Sequence, residues 1–277
     1  MDRVTLDTFT KRRDFLFCAD SDGCAMDTMT SKHETAFCPR LIDAYGLDAH
    51  TALVTGEWMR LNLYSATRGV NRFKGLAHMM EFLAAHGIDM EGKDEYLSWA
   101  GHTPLLSNDT LRAAIDAGAP LQKALVWSLA VNETVAAMEG SAPFEGCRET
   151  LEAIHAQADT AVVSAANSAA VDEEWHRCGL APHMDLLMGQ DAGSKAHCLT
   201  VLADKGYAPG HILMAGDALG DLDAAKQAGA RFFPILVGRE SESWQRLREE
   251  GFLRFLSGTF SGAYEDGLIA EQKSILR

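Results

Sequence analysis

The chain contains 277 residues, and acidic side chains outnumber basic ones so strongly that its formal net charge is −14. Nucleic acids and anionic membrane surfaces would repel such a chain, so we expect neither of them as a partner. No apolar run is long enough to span a bilayer, and the six cysteines include no CxxC pair. This cysteine usage is typical of reduced thiols in a cytoplasmic protein.

The first predicted element is a buried strand that ends in two carboxylates. Residues 1–14 are polar and predict a loosely held lead-in, whereas residues 15–19 form an apolar run followed by Asp20, Asp22 and Gly23. An apolar run bounded by turn residues is typical of a buried strand, and open α/β sheets bind their ligands at the carboxyl ends of strands. The pattern indicates either a divalent metal site or an ordinary Asp-Gly turn.

Helical spacing replaces strand signals after this first motif. Apolar residues recur at intervals of three and four, and glycine or proline ends several of these runs. The spacing predicts helices over residues 51–64, 73–84, 108–117 and 121–138. The sequence therefore predicts an all-helical insertion after the first strand.

From residue 143 onward the chain alternates between strand and helix, which is the pattern of a parallel α/β sheet. Strands are predicted at residues 160–163, 184–188, 211–215 and 231–237. Helices are predicted at residues 147–156, 168–178, 195–205, 221–228 and 244–256, with Ser168 as the cap of the second. The pattern assigns no element to residues 257–267.

Polar side chains follow these later strands at the points where ligands would bind. Ser164 follows the second predicted strand, Lys195 begins the helix after the third, and Asp217 and Asp221 follow the fourth. Each has an ordinary alternative, because serine caps helices, surface lysine is solvated and aspartate favours helix N-termini. Their joint placement after successive strands favours one shared site over several separate coincidences.

These motifs, in this order, resemble those of the haloacid dehalogenase-like superfamily. The resemblance is to its phosphatase and β-phosphoglucomutase-like branch, whose members carry a helical cap after the first motif. Cys24 replaces a usual threonine, Ser21 a commonly apolar residue and Ala196 a frequent proline, but none of these changes affects a carboxylate. The matching segments are Asp20-Ser21-Asp22-Gly23, Ser164, Lys195 and Gly216-Asp217-Ala218-Leu219-Gly220-Asp221.

The resemblance implies an α/β fold with a Rossmann-like parallel sheet and an inserted all-helical cap domain. It implies a core formed by residues 1–27 and 142–277 and a cap formed by residues 28–141. Asp20 would be the nucleophile, Asp22 the general acid and base, and Lys195 the cation between nucleophile and phosphate. Ser164 and Ala165 would hold the phosphoryl group. The implied Mg²⁺ ligands are Asp20, Asp22 through its carbonyl, Asp217 and Asp221.

The segment of residues 67–72 resembles the part of the β-phosphoglucomutase-like cap in which an arginine contacts the substrate. Arg72 matches that arginine and Arg68 lies nearby, so the resemblance implies that both bind substrate. The alternative is that they are ordinary surface arginines, whose stems commonly cover apolar surface.

The expected activity is that of a Mg²⁺-dependent phosphatase acting on a small phosphorylated metabolite through an aspartyl-phosphate. One alternative is a phosphosugar mutase of the β-phosphoglucomutase type. Another is a catalytically silent metabolite-binding protein on the same fold. Asp20, Asp22, Lys195 and Asp217 are intact, however, which is unexpected for a protein that has lost turnover.

Overall fold

The computed structural model describes residues 4–138 and 140–277. The chain divides into two compact units, of which one consists of Met1–Thr28 and Gly140–Arg277 and the other of Met29–Glu139. We call them the α/β unit and the helical unit. Within the described ranges, no helix is both long and apolar enough to cross a membrane.

The α/β unit is built on a five-stranded parallel sheet with the strand order β3-β2-β1-β4-β5. The central strand β1 pairs with β2 on one side and β4 on the other, and all of its side chains are buried. A strand covered on both faces reads as a continuous apolar run, which is why it is visible in the sequence. The strands are β1 (Leu16–Ala19), β2 (Asp159–Val163), β3 (Leu186–Met188), β4 (Ile212–Gly216) and β5 (Arg231–Pro234).

The helical unit contains the insertion predicted after the first strand. The four helices predicted from apolar spacing are confirmed, whereas the prediction did not include α1, α2 and α5. Helix α5 buries only Tyr96 completely, so it has no apolar stripe, and α2 follows a π-helical turn over His33–Phe37. The helices are α1 (Met29–Lys32), α2 (Cys38–Tyr45), α3 (Thr51–Leu63), α4 (Arg72–Ala85), α5 (Lys93–His102), α6 (Asn108–Asp116) and α7 (Gln122–Ala137).

Helices cover both faces of the sheet in the α/β unit. Along β1, Phe17 and Ala19 belong to one apolar core, and Leu16 and Cys18 belong to another. This alternation follows from the two-residue period of a strand. The first core includes side chains of α8, α9, α12 and α13, and the second includes those of α10 and α11. The helices are α8 (Cys147–His155), α9 (Ser168–Arg177), α10 (Lys195–Ala203), α11 (Leu219–Gln227), α12 (Glu240–Arg246), α13 (Phe252–Leu256) and α14 (Ala263–Ile275).

The predicted loose lead-in is wrong for the described residues before β1. Leu6 and Phe9 are buried in the core of the α/β unit. The backbone amides of Arg12 and Arg13 donate to Asp159 Oδ2 at 2.8 and 3.0 Å. Two isolated apolar side chains in a polar segment have no periodicity, so the sequence pattern did not reveal this packing.

The tail contains a helix, α14, that begins inside the segment left unassigned from the sequence. Its residue Glu265 accepts a hydrogen bond from the amide of Phe232 in β5, with an N···O distance of 2.9 Å. Strand β5 is an edge strand, and an edge with unpaired amides invites pairing with other chains. Helix α14 therefore protects that edge.

Three smaller boundaries also differ from the prediction. Strand β5 ends at Pro234, before residue 237, and β3 begins at Leu186 after a 3₁₀ turn. Asn167 caps α9, because its side chain accepts from the amides of residues 169 and 170. Ser168 is therefore the first helical residue and not the cap.

Candidate active site

Three carboxylates from two separate sequence motifs meet at one edge of the sheet. Asp20 follows β1, Asp217 follows β4, and Asp221 lies in the first turn of α11. One oxygen of each carboxylate lies within 4.8 Å of the others, and all three residues are buried. They converge because the carboxyl ends of parallel strands share an edge.

Lys195 joins this cluster from the first turn of α10. Its Nζ lies 2.8 Å from Asp20 Oδ2 and 2.5 Å from Asp221 Oδ1. One ammonium group therefore bridges Asp20, which follows β1, and Asp221, which lies in the first turn of α11. The structure brings together four of the residues predicted from the sequence.

Backbone groups orient two of the carboxylates. The amide of Ser21 donates to Asp20 Oδ1 at 2.7 Å, so both oxygens of Asp20 have a donor. The amide of Ala218 donates to Asp221 Oδ2 at 3.1 Å. A Cβ atom on Gly216 would lie only 2.4 Å from that oxygen, so only glycine allows Asp221 to pack here.

The electrostatics of the cluster are those of excess buried negative charge. Burial raises the pKa of Asp20 well above its usual value, Asp221 and Asp217 add to the effect, and Lys195 opposes it. Burial alone would lower the pKa of Lys195, but Asp20 and Asp221 outweigh it and raise this pKa. Lys195 is therefore cationic beside three carboxylates.

This donor set fits a hard divalent cation. With all three acids ionised, the three carboxylates and one ammonium carry a formal charge of −2. Buried charge of one sign is costly, and carboxylate oxygens are the ligands that Mg²⁺ prefers. Asp20, Asp217 and Asp221 would hold the ion, and a contribution from the carbonyl of Asp22 remains a prediction.

Asp22 lies in the turn after β1, and its orientation is set by a residue that the sequence did not reveal as part of the site. Thr28 Oγ1 donates to Asp22 Oδ1 at 2.5 Å, and Thr28 itself is buried. Gly23 allows the intervening turn, with φ of 76°. The sequence alone did not predict a role for Thr28 in orienting Asp22, and this hydrogen bond is seen only in the structure.

Ser164 is buried at the end of β2, next to β1 in the sheet. Its Oγ accepts a hydrogen bond from the amide of Ala166 at 3.1 Å, and Ala165 between them is exposed. Because Asn167 caps α9, the capping alternative for Ser164 does not apply. Phosphate binding by Ser164 and Ala165 remains a prediction.

Arg72 is bound inside the helical unit. Arg72 NH1 lies 2.6 Å from Asn132 Oδ1, and its guanidinium lies 5.1 Å from the centre of the Phe37 ring. Arg68 is also buried there, and its NH1 donates to the carbonyl of Leu63 at 2.9 Å. These contacts give both arginines a structural role, and substrate binding by either one remains a prediction.

Comparison with known proteins agrees with this fold. Residues 104–235 match the family model described as haloacid dehalogenase-like hydrolase. A provisional phosphoglycolate phosphatase from Lactobacillus delbrueckii subsp. bulgaricus is 13% identical, with a TM-score of 0.52, over 96% of this chain and 99% of that one. A haloacid dehalogenase-like family hydrolase from Streptococcus pneumoniae is 13% identical, with a TM-score of 0.50, over 83% of this chain and 90% of that one.

No curated protein gives a significant sequence match. The matched range contains Ser164, Lys195, Asp217 and Asp221. The parallel sheet with its flanking helices is the fold that the chain shares with the two solved structures. Residues 104–235 therefore match the haloacid dehalogenase-like hydrolase family, the superfamily whose motifs the chain resembles.

Proposed function

We propose that the protein is a Mg²⁺-dependent phosphatase that hydrolyses a small phosphorylated metabolite through an aspartyl-phosphate on Asp20. The observation that carries this proposal is the buried cluster of Asp20, Lys195, Asp217 and Asp221 at the carboxyl edge of the sheet. A phosphate ester needs a nucleophile and positive charge at the same place, and this cluster offers both when a divalent cation is bound.

Asp20 is the proposed nucleophile because its carboxylate is already held in place. One oxygen accepts from the amide of Ser21 and the other contacts Lys195, which restricts rotation of the group before it attacks phosphorus. Bound Mg²⁺ would supply charge neutralisation, so that an anionic nucleophile and an anionic phosphate can approach each other. Attack by Asp20 replaces one difficult displacement by two easier ones.

Lys195 and the residues after β2 complete the environment of the phosphoryl group. Lys195 balances the charge of Asp20 and Asp221 and stabilises the transferring group. The proposed role of Ser164 and Ala165 is to bind phosphoryl oxygens through a hydroxyl and a backbone amide, both of which can donate hydrogen bonds to an anion.

Asp22 separates a phosphatase from a dehalogenase. The alkoxide released from a phosphate ester needs a proton, whereas a departing halide does not. Asp22 lies two residues after the proposed nucleophile, and Thr28 orients its carboxylate. We assign it the role of acid for the leaving alcohol and then of base for the hydrolytic water.

The cysteines support a cytoplasmic location for this activity. All six are free thiols, and all are buried. Structural thiols without disulfides are typical of proteins that work in a reducing compartment.

Phosphate release from a broad panel of phosphorylated metabolites tests the proposal. We expect release with Mg²⁺, loss of release with EDTA and recovery when Mg²⁺ is restored. Asp20→Asn should abolish turnover and keep the fold, which circular dichroism checks, because the side chain barely changes volume. Undiminished turnover after thorough chelation, or full activity of Asp20→Asn, would contradict the proposal. Release of an isomeric phosphate ester in place of phosphate would indicate a mutase.

A further inference from the structure

Backbone hydrogen bonds of Ser21 hold the loop of the first motif in place. We call residues 20–24 the catalytic loop. The Ser21 amide donates to Asp20 Oδ1 at 2.7 Å, and its carbonyl accepts from the amides of Ala25 and Met26, both at 2.9 Å. Any displacement of Ser21 therefore moves the carboxylate of Asp20 and the turn that follows it.

Two buried tryptophans hold this loop from the apolar core. Trp175 Nε1 donates to Ser21 Oγ at 2.9 Å, and Trp244 Nε1 donates to the carbonyl of Cys24 at 2.9 Å. Trp175 belongs to α9 and Trp244 to α12, and neither indole is exposed. Two helices far apart in the chain thus contact the two ends of one short loop.

The chemistry of indole makes these contacts directional. An indole nitrogen only donates, so a buried one needs an acceptor at a defined place, and the ring has few rotamers once its faces are packed. The two acceptors bracket Asp22 and Gly23. Gly23 has a φ of 76°, and glycine can adopt many backbone conformations because it has no Cβ atom. Without the two bonds, the packed core would constrain the loop much less.

The contact with Trp175 depends on the hydroxyl of Ser21. An apolar side chain at position 21 could not accept a hydrogen bond from the indole. The serine and the indole therefore form a matched pair in this chain, 154 positions apart in sequence.

We propose that Trp175 and Trp244 are positioning residues that hold the catalytic loop in the geometry required by Asp20 and Asp22. This inference rests on the proposed function, since it assigns the loop a catalytic purpose. It also gives a role to α12, which lies beyond the last strand of the sheet.

The test uses substitutions that remove single hydrogen bonds. Ser21→Ala removes the acceptor, Trp175→Phe removes its donor, and Trp244→Phe removes the donor at the other end of the loop. Tyr207→Phe is the matched control, because it removes a buried donor to Asp159 Oδ2 at 2.6 Å, at the amino end of β2.

The first measurement is the kinetics of hydrolysis of a phosphate ester. A misplacement of about 1 Å can cost about 10²-fold in rate, so we expect kcat to fall about 10- to 10²-fold in the loop variants. KM should change by less than about threefold, because the phosphate contacts remain. The Ser21→Ala/Trp175→Phe double variant should have the same kcat as the less active of the two single variants, because both substitutions remove the same hydrogen bond. Tyr207→Phe should retain its kcat.

The second measurement does not depend on activity. Hydrogen exchange at the amides of Ala25 and Met26 should accelerate in the loop variants more than in Tyr207→Phe at matched global stability. If exchange accelerates selectively and the wild-type protein hydrolyses no ester, the positioning inference stands and the proposed phosphatase function fails. Loop exchange and kcat no different from those of Tyr207→Phe would overturn the inference. If Trp175→Phe does not fold, Ser21→Ala and Trp244→Phe carry the same test.

Discussion

Replacing Lys195 by methionine tests the charge balance on which the candidate site depends. Methionine keeps most of the length and apolar volume of lysine but removes the ammonium that contacts Asp20 at 2.8 Å and Asp221 at 2.5 Å. The formal charge of the buried cluster, with all acids ionised, then changes from −2 to −3. The variant should therefore be less stable and much less active.

The size of the effect follows from the burial of the ion pairs. Removing one partner of a buried pair costs about 3–5 kcal/mol, because the remaining charge is uncompensated. The Lys195 side chain is 18% exposed, so water screens part of the loss. We expect a decrease of about 3 kcal/mol in the free energy of unfolding at pH 8, which is roughly a hundredfold in the unfolding equilibrium. Loss of one electrostatic stabiliser should lower kcat by about 10²–10³-fold.

The pH dependence has a defined sign. Burial, reinforced by Asp221 and Asp217, raises the pKa of Asp20 in the folded protein, and removal of Lys195 raises it further. Folding then favours the protonated acid, so this contribution to stability is complete below about pH 4 and is lost as pH rises through the raised pKa. The destabilisation by Lys195→Met should therefore be larger at pH 8 than at pH 5.

Urea unfolding in EDTA at the two pH values measures this difference. Lys226→Met is the control, because Lys226 is an exposed lysine in the last turn of α11. Saturating Mg²⁺ should stabilise both the wild-type protein and Lys195→Met, by about 2.7 kcal/mol at a hundredfold excess over Kd. If Lys195→Met is as stable as Lys226→Met at pH 8, or retains wild-type kcat, the argument from buried charge is refuted.

Three further substitutions test individual residues. Asp22→Asn should retain Mg²⁺ affinity, but its first-turnover burst rate with alkyl phosphates should fall by about 10²–10⁴-fold, and the fall should be smaller for p-nitrophenyl phosphate. An unchanged burst rate with alkyl phosphates would exclude Asp22 as the acid. Thr28→Val removes the hydroxyl that orients Asp22; it should lower kcat for alkyl phosphates with little change in KM, and equal losses for p-nitrophenyl phosphate would show that Thr28 does not act through the acid. If Arg72 binds substrate, Arg72→Ala should reduce kcat/KM for the best metabolite more than for p-nitrophenyl phosphate. Asn132→Ala removes the hydrogen-bond acceptor of Arg72, and the same pattern of losses in that variant would show a purely structural role.

Local sequence was sufficient to predict the framework of the site. The apolar run before Asp20 predicts β1 because a central strand of a parallel sheet is buried on both faces. The acids at Asp217 and Asp221 follow another such run, β4, that pairs directly with β1. The carboxyl ends of parallel strands lie at one edge of a sheet, so the position of all three acids after predicted strands indicated one shared site. The direct pairing of β1 with β4 comes from the structure. Helical spacing likewise predicts the longer helices of the insertion.

Local sequence could not predict the parts that depend on packing between distant segments. Leu6 and Phe9 lack any periodicity, and their burial depends on an available apolar surface elsewhere in the α/β unit. Arg72 looks like a surface arginine until the side chains of α7 and the π-helical turn are placed around it. In each case the burial of the side chain depends on a contact between two distant segments, and neither segment reveals that contact by itself.

The same limit applies within the catalytic loop. Strand β1 ends at Ala19, so the alternation of a strand does not determine where Asp22 points, and the bond from Thr28 does. The indole of Trp244 reaches the Cys24 carbonyl across 220 positions of sequence. The sequence by itself determined which chemical groups stand at the ends of the strands, because burial and period are local. Only the tertiary structure decided how those groups are oriented, because orientation comes from hydrogen bonds whose partners are brought together by the packed core.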